Sequence, residues 1–200
     1  VLALNCHRFF ELYYGIAQIG AAAVPINFRI PPKEIKYILD HSGSRAIAVD
    51  AALTPALEAV RAQLESVEQF ISIADQPAEG YLAYEELIAT NPPLVDAPKI
   101  NDGELLGLFY TSGTTGEPKG VMLTHKNMLS NIAHSDGVYN YLATDVYLHS
   151  APMFHLADGA AEVQVDDVGS RGLDHAGRLG HRARVGAEDL HGQRVLVRGD

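Results

Sequence analysis

A chain of 200 residues has room for one good core or two small subdomains. Its composition, 47% hydrophobic and 20% charged, is that of an ordinary soluble globular protein, and a net charge of −10 gives a nucleic-acid partner no support. The single cysteine, Cys6, excludes an intrachain disulfide and fits a reducing, cytoplasmic compartment.

Residues 1–4 (Val-Leu-Ala-Leu) read as a buried strand, too short for a signal peptide or a membrane span. Cys6 to Ile19 reads as a helix, with Asn5 as its N-cap and Gly20 just past its end. Its aromatic stripe, Phe9, Phe10, Tyr13 and Tyr14, reads as core, as does Cys6. Ala22 to Asn27 is expected as a strand. Pro31-Pro32 starts a second helix that ends near Ser42-Gly43. A strand follows from Arg45 to Asp50. Thr54-Pro55 then opens a helix through about Ser66, with cap and first-turn proline in place. Gln69 to Ile73 reads as the next strand. The alternation predicts an α/β fold with crossover helices on a mostly parallel sheet. Beyond it lie a short helix near Tyr84 to Ala89 and a linker-like stretch, Asn91 to Pro98.

The most informative segment is Tyr110-Thr-Ser-Gly-Thr-Thr-Gly-Glu-Pro-Lys-Gly120. An apolar run, Glu104 to Tyr110, leads into it. A strand-like Val121 to Thr124 and a helical pattern from His125 to about Tyr141 follow it. Glycines allow sharp bends and close approach to a ligand. Consecutive free N–H groups in such a bend make a concavity for anions. The hydroxyls of Thr111, Ser112, Thr114 and Thr115 add neutral donors between Gly113 and Gly116, and Lys119 adds a point charge suited to phosphate. The blander reading is a polar hairpin turn with a surface lysine, but a turn does not require this whole combination. A Walker loop is excluded residue by residue. Counted from Gly113, its second glycine falls on Pro118, and its Ser/Thr after the lysine is Gly120.

The string from Thr111 to His125, TSGTTGEPKGVMLTH, resembles the signature loop of the adenylate-forming superfamily. That superfamily holds acyl-CoA synthetases, aryl-CoA ligases, luciferases and peptide-synthetase adenylation domains. Leu4-Asn5-Cys6-His7, Tyr13 to Ala17, Gly20 to Asn27, Ile38 to Ser42, Asp145 to Leu148 and Ala151-Pro152-Met153-Phe154-His155 resemble its other shared segments, so the likeness covers about residues 1–161. The Pro-Met-Phe-His form leans toward acyl- or aryl-CoA ligases. The resemblance implies an incomplete N-terminal portion of the adenylate-forming fold. It implies a reaction in which a carboxylate attacks the α-phosphate of Mg-ATP, and coenzyme A then displaces AMP from the acyl adenylate. On that footing Thr111, Ser112, Gly113, Thr114, Thr115, Gly116 and Lys119 would bind the β- and γ-phosphates. Thr111 would also ligate Mg²⁺, and His155 would line the acyl pocket. The implied small molecules are a carboxylate, ATP and CoA, with a fatty acid as the first choice of carboxylate and an aryl acid as the second. The implied setting is cytoplasmic, with peripheral membrane attachment of the parent enzyme as a variant.

Three segments are expected: 1–98 as an N-terminal α/β subdomain, 99–161 as the phosphate-loop segment, and 162–200 as a tail of different character. The tail holds six arginines and no lysine, aromatic residue or proline, a composition that an out-of-frame reading of a GC-rich gene would give; the rival reading is a true divergent, flexible or disordered segment. Translation of the other two frames beyond codon 161 tests that idea. His175, His181, His191 and the closing Arg-Gly-Asp carry no site. The chain starts without methionine and is expected to be an interior piece of a longer product. By itself it is expected to bind ATP weakly and not to ligate.

Overall fold

The computed structural model describes residues 1–111, 116–139, 148–155, 186–188 and 194–196. Helix α1 spans His7–Gln18 and α2 Pro32–Ser42. Strand β1 (Ala46–Val49) leads through a 3₁₀ turn, Ala51–Leu53, into α3 (Thr54–Arg61). Then come β2 (Gln69–Ser72), β3 (Leu82–Ala83) and α4 (Tyr84–Thr90). Strands β4 (Leu105–Thr111) and β5 (Lys119–Thr124) precede α5 (His125–Tyr139). Strand β6 (Leu148–His149) pairs in parallel with β7 (Gly186–Glu188), which pairs antiparallel with β8 (Arg194–Leu196).

The α/β reading holds. Strands β1, β2 and β3 are parallel neighbours in that order. Beyond β1 the ladder continues through single residues. Leu2 bridges Val49 in parallel. The Val1 amine donates to the Val24 carbonyl at 2.7 Å, and the Ile26 N–H donates to the Val1 carbonyl at 2.9 Å. Ala23 then bridges Gly107 of β4 in parallel, with Ala23 N–H to Leu106 O at 2.9 Å and Leu108 N–H to Ala23 O at 2.8 Å. The two expected strands at 1–4 and 22–27 are therefore single bridges. Pro25 has no N–H to give, which breaks any longer ladder there. The close approach also explains Gly107: a Cβ there would lie 2.7 Å from the Ala23 carbonyl oxygen.

The main core lies under this sheet, where Leu2, Ile26, Ile35, Leu39, Ile47 and Leu57 are fully buried. Each such side chain contributes roughly 1.5–3 kcal/mol by leaving water. Helix α2 supplies Ile35, Ile38 and Leu39 at the i, i+3, i+4 spacing of a buried stripe. Proline opens it, and Gly43 closes it at φ 65° with N–H bonds from Gly43 to Asp40 O and from Ser44 to Leu39 O.

Helix α3 stops at Arg61, short of the expected Ser66. The Gln63 and Leu64 amides bond to Val60 and Arg61 in tightened turns, while the Glu65 and Ser66 amides turn to the Asp40 carboxylate. Nor does Thr54 cap that helix. It is its first residue and donates its hydroxyl to Asp50 O, while the Asp50 carboxylate caps the preceding 3₁₀ turn.

Candidate functional site

The loop leaves the sheet at the carboxyl end of β4, the edge at which parallel α/β sheets place their ligands. Strands β4 and β5 are antiparallel, in the register Phe109↔Val121, Tyr110↔Gly120, Thr111↔Lys119. Residues 112–118 join them. Strand β5 starts at Lys119, two residues before the expected Val121. Pairing with β4 draws Lys119 and Gly120 into the ladder against their own weak strand preference.

Of the loop residues singled out in the sequence, Thr111, Gly116 and Lys119 are exposed at its base and rim. Ser112, Gly113, Thr114 and Thr115 lie outside the described residues, as do the tail histidines and the closing Arg-Gly-Asp. Thr111 and Lys119 face each other across the strands, and the Thr111 hydroxyl donates to the Lys119 carbonyl at a long 3.5 Å. Lys119 joins no salt bridge among the described residues, so its ammonium is available to an incoming anion. No group of three or more His, Cys, Asp or Glu that could hold a metal occurs among the described residues.

Behind this base, on the opposite face by the two-residue alternation of a strand, lies Tyr110. Its ring covers Gly120, where a Cβ would stand 3.1 Å from Cζ. Its hydroxyl meets His41 Nδ1 at 2.7 Å. The His41 ring stacks on Tyr37, centroids 5.1 Å apart at 24°, and sits edge-on to Tyr110 at 5.8 Å and 82°. Burial, with Tyr37 nearby, pushes the Tyr110 hydroxyl above its ordinary value.

His155 is exposed at the end of a turn, its N–H on the Pro152 carbonyl at 2.9 Å. That turn is clamped from α1. Asn5 Nδ2 donates to Ala151 O at 2.7 Å and to His149 O at 3.3 Å, and Asn5 Oδ1 accepts the Met153 N–H at 2.8 Å. The Tyr13 hydroxyl donates to Met153 O at 3.0 Å. Met153 is fully buried, and Phe154 meets Phe28 edge-on at 5.3 Å. This corrects the expectation for Asn5. The α1 N-cap position is Cys6, with no side-chain cap, and the Asn5 carboxamide is committed to the segment before His155.

Sequence reasoning thus missed Asn5, Tyr13 and His41 as side chains that shape the site. Asn5 looks like a helix cap and Tyr13 like core, while His41 stands in the Ile38 to Ser42 segment with no sign of its partner. No local signal separates those roles from the observed ones.

Between α1, β4 and α5 a cavity of about 140 Å³ is lined by Tyr13, Tyr14, Phe109, His125 and Met128 among others. His125 Nε2 is buried without a hydrogen-bond partner among the described residues. No helix of the described residues is long and apolar enough to cross a membrane.

Comparison with known proteins agrees with the loop. The family described as AMP-binding enzyme matches residues 1–163. A long-chain-fatty-acid–CoA ligase of Thermus thermophilus is 37% identical over 158 residues, covering 78% of this chain and 28% of that protein. A 3-methylmercaptopropionyl-CoA ligase of Ruegeria pomeroyi is 36% identical over 166 residues, covering 78% and 30%. Among solved structures, the anthranilate CoA ligase AuaEII in complex with anthranoyl-AMP superposes with a TM-score of 0.75 at 30% identity, over 82% of this chain and 33% of that one. The N-terminal domain of FACL13 from Mycobacterium tuberculosis gives 0.72 at 32%, over 82% and 40%. The chain spans 28–30% of the length of these two curated relatives.

Proposed function

This chain belongs to the AMP-binding enzyme family, and on that premise we propose that it supplies the triphosphate grip of an ATP-dependent carboxylate–CoA ligase. The observation that carries the proposal is the pairing of Thr111 with Lys119 at the carboxyl end of β4, with no salt bridge on the lysine among the described residues. In this reading the hydroxyls and amides of residues 111–116 hold the β- and γ-phosphates, and Lys119 balances charge on the departing pyrophosphate. Thr111 would hold a Mg²⁺ through its hydroxyl, and the metal would supply further charge neutralisation. Residues 1–98 are the supporting α/β subdomain, 99–161 the phosphate-loop segment, and 162–200 a tail that does not match the family.

The proposed reaction forms a bond from a carboxylate oxygen to the α-phosphorus and breaks the α–β bridge, releasing pyrophosphate. The CoA sulfur then bonds the acyl carbon and releases AMP. Neither step requires a nucleophile from this chain. What its residues contribute is position and fixed charge. His155, held by the turn that Asn5 and Tyr13 clamp, orients the carboxylate. A fatty acid is the favoured substrate class, in line with the name of the Thermus relative. An aryl acid is second, in line with the anthranilate ligase. A cytoplasmic setting belongs to the same proposal.

Calorimetric titration with Mg-ATP tests the grip. Lys119→Ala is expected to weaken binding at least tenfold, the loss of one charge-assisted contact of roughly 1.5–3 kcal/mol. Equal affinity of the two proteins would refute it. The expectation that these 200 residues alone do not ligate is checked by carboxylate-dependent pyrophosphate release.

A further inference from the structure

The cluster behind the loop has a consequence for how firmly the loop can hold an anion. Helix α2 is held on both its faces. Three of its apolar side chains are buried, Lys36 pairs with Asp40 at 2.6 Å, and Asp40 also takes the Glu65 and Ser66 amides. His41 is the next residue, two before the Gly43 stop, so its backbone has little freedom. Tyr37 lies one turn earlier and stacks on the imidazole. From this platform Nδ1 reaches the hydroxyl of Tyr110, 69 residues away in sequence. Tyr110 is next to Thr111 in β4, and its cross-strand partner Gly120 is next to Lys119 in β5. Gly120 has no side chain, and the Tyr110 ring takes the space one would fill. The contact to His41, beside a hydrogen bond with the Ser42 side chain, therefore steadies both strands at the point where the two candidate phosphate ligands project from the other face.

We propose that His41 is a positioning residue for the polyphosphate grip: through the Tyr110 hydroxyl it fixes the loop base from which Thr111 and Lys119 project. The proposal rests on the phosphate-binding reading above. His41 does not touch the anion. It lowers the freedom that Thr111 and Lys119 must give up on binding. The proton can lie on either partner. A neutral imidazole accepts the tyrosine O–H at Nδ1, and an imidazolium donates Nδ1–H to the tyrosine oxygen.

The test measures Mg-ATP affinity by calorimetry and thermal stability side by side, for the unsubstituted protein, His41→Ala, His41→Asn, Tyr110→Phe, the His41→Ala/Tyr110→Phe pair and Lys119→Ala. His41→Ala and Tyr110→Phe are each expected to weaken binding roughly three- to tenfold, the worth of one neutral hydrogen bond. The double variant should lose no more than Tyr110→Phe alone, because that change already removes the bond that His41→Ala removes. His41→Asn puts an amide near the Nδ1 position and should restore part of the affinity. Where His41→Ala fails to fold, His41→Asn and Tyr110→Phe keep enough volume to carry the same comparison. Losses that multiply in the double variant, or variants that lower thermal stability and leave affinity unchanged, overturn the proposal. Lys119→Ala separates the two levels. If it weakens binding and Tyr110→Phe does not, only the positioning role fails. If the unsubstituted protein binds no Mg-ATP, or Lys119→Ala binds as it does, the phosphate reading fails and the positioning role with it.

Discussion

Asn5 offers the sharpest test of the packing around the site, because two readings of it predict different outcomes for the same substitution. Its carboxamide makes bonds of 2.7 and 2.8 Å to Ala151 O and Met153 N–H, and a long one of 3.3 Å to His149 O. Two good bonds are worth about 2 kcal/mol net, and leaving their partners half-buried without a mate adds to that. Asn5→Ala is therefore expected to destabilise by about 2–3 kcal/mol. Asn5→Asp keeps the acceptor for Met153 but turns two donors into an anionic oxygen facing two carbonyls, so it should do at least as much harm at neutral pH. An N-cap behaves differently. Alanine at that position costs about 1 kcal/mol, and aspartate is as good as asparagine. Urea unfolding of the three proteins gives the energies, and hydrogen exchange at the Met153 amide localises the effect. Asn5→Asp matching the unsubstituted protein, with Met153 protection unchanged, would refute the clamp and restore the cap.

Two further outcomes are expected from the same geometry. Gly107→Ala places a Cβ 2.7 Å from the Ala23 carbonyl oxygen, a backbone atom that cannot swing aside. The expected loss is roughly 1–3 kcal/mol by chemical denaturation, and a neutral result would mean that β4 does not lie this close to residue 23. Acid should unfold the protein. Burial pushes the Asp40 carboxyl up, but Lys36 and the Glu65 and Ser66 amides outweigh it and hold the group below its ordinary value. Hydrogen bonds from Tyr81 and Arg61 lower Glu58, and those from Asn101 lower Glu104. Folded values below unfolded ones mean stability that is full above the ordinary carboxyl range and lost as pH falls through the depressed values. Tm should hold steady from about pH 7 to 5 and fall below about pH 4, with a shallower acid limb in Asp40→Asn. A Tm independent of pH down to about 3 would contradict these pairings.

The elements that were legible in the sequence are those set by near neighbours. Pro31-Pro32 and Gly43 bound α2, since a fixed φ starts a helix and a left-handed residue ends it within one turn. Gly20 closes α1 at φ 71° in the same way. The family is legible because the glycines, hydroxyls and lysine of residues 111–120 are contiguous. What could not be read depends on distant partners. Nothing near Asn5 says that its amide will meet residues 149–153, since the same residue type before a helix is usually a cap. Nothing near Glu65 says that its amide will leave α3 for Asp40, 25 residues back.

His41 joins the two kinds of information. Its place on α2 follows from local signals, and its partner does not. Yet Gly120 points to that partner once the strands are paired, because a glycine in a strand marks a spot that something else must fill. Here the something is the Tyr110 ring, and the ring carries a hydroxyl that needs a mate when half-buried. The last turn of α2 is where that mate stands. On the proposed reading, a glycine-rich loop announces the anion in the sequence, while the firmness of its hold is set by a helix about seventy residues earlier. This is why the loop's own substitutions test whether phosphate binds, and substitutions at His41 and Tyr110 test how well the loop is held ready for it.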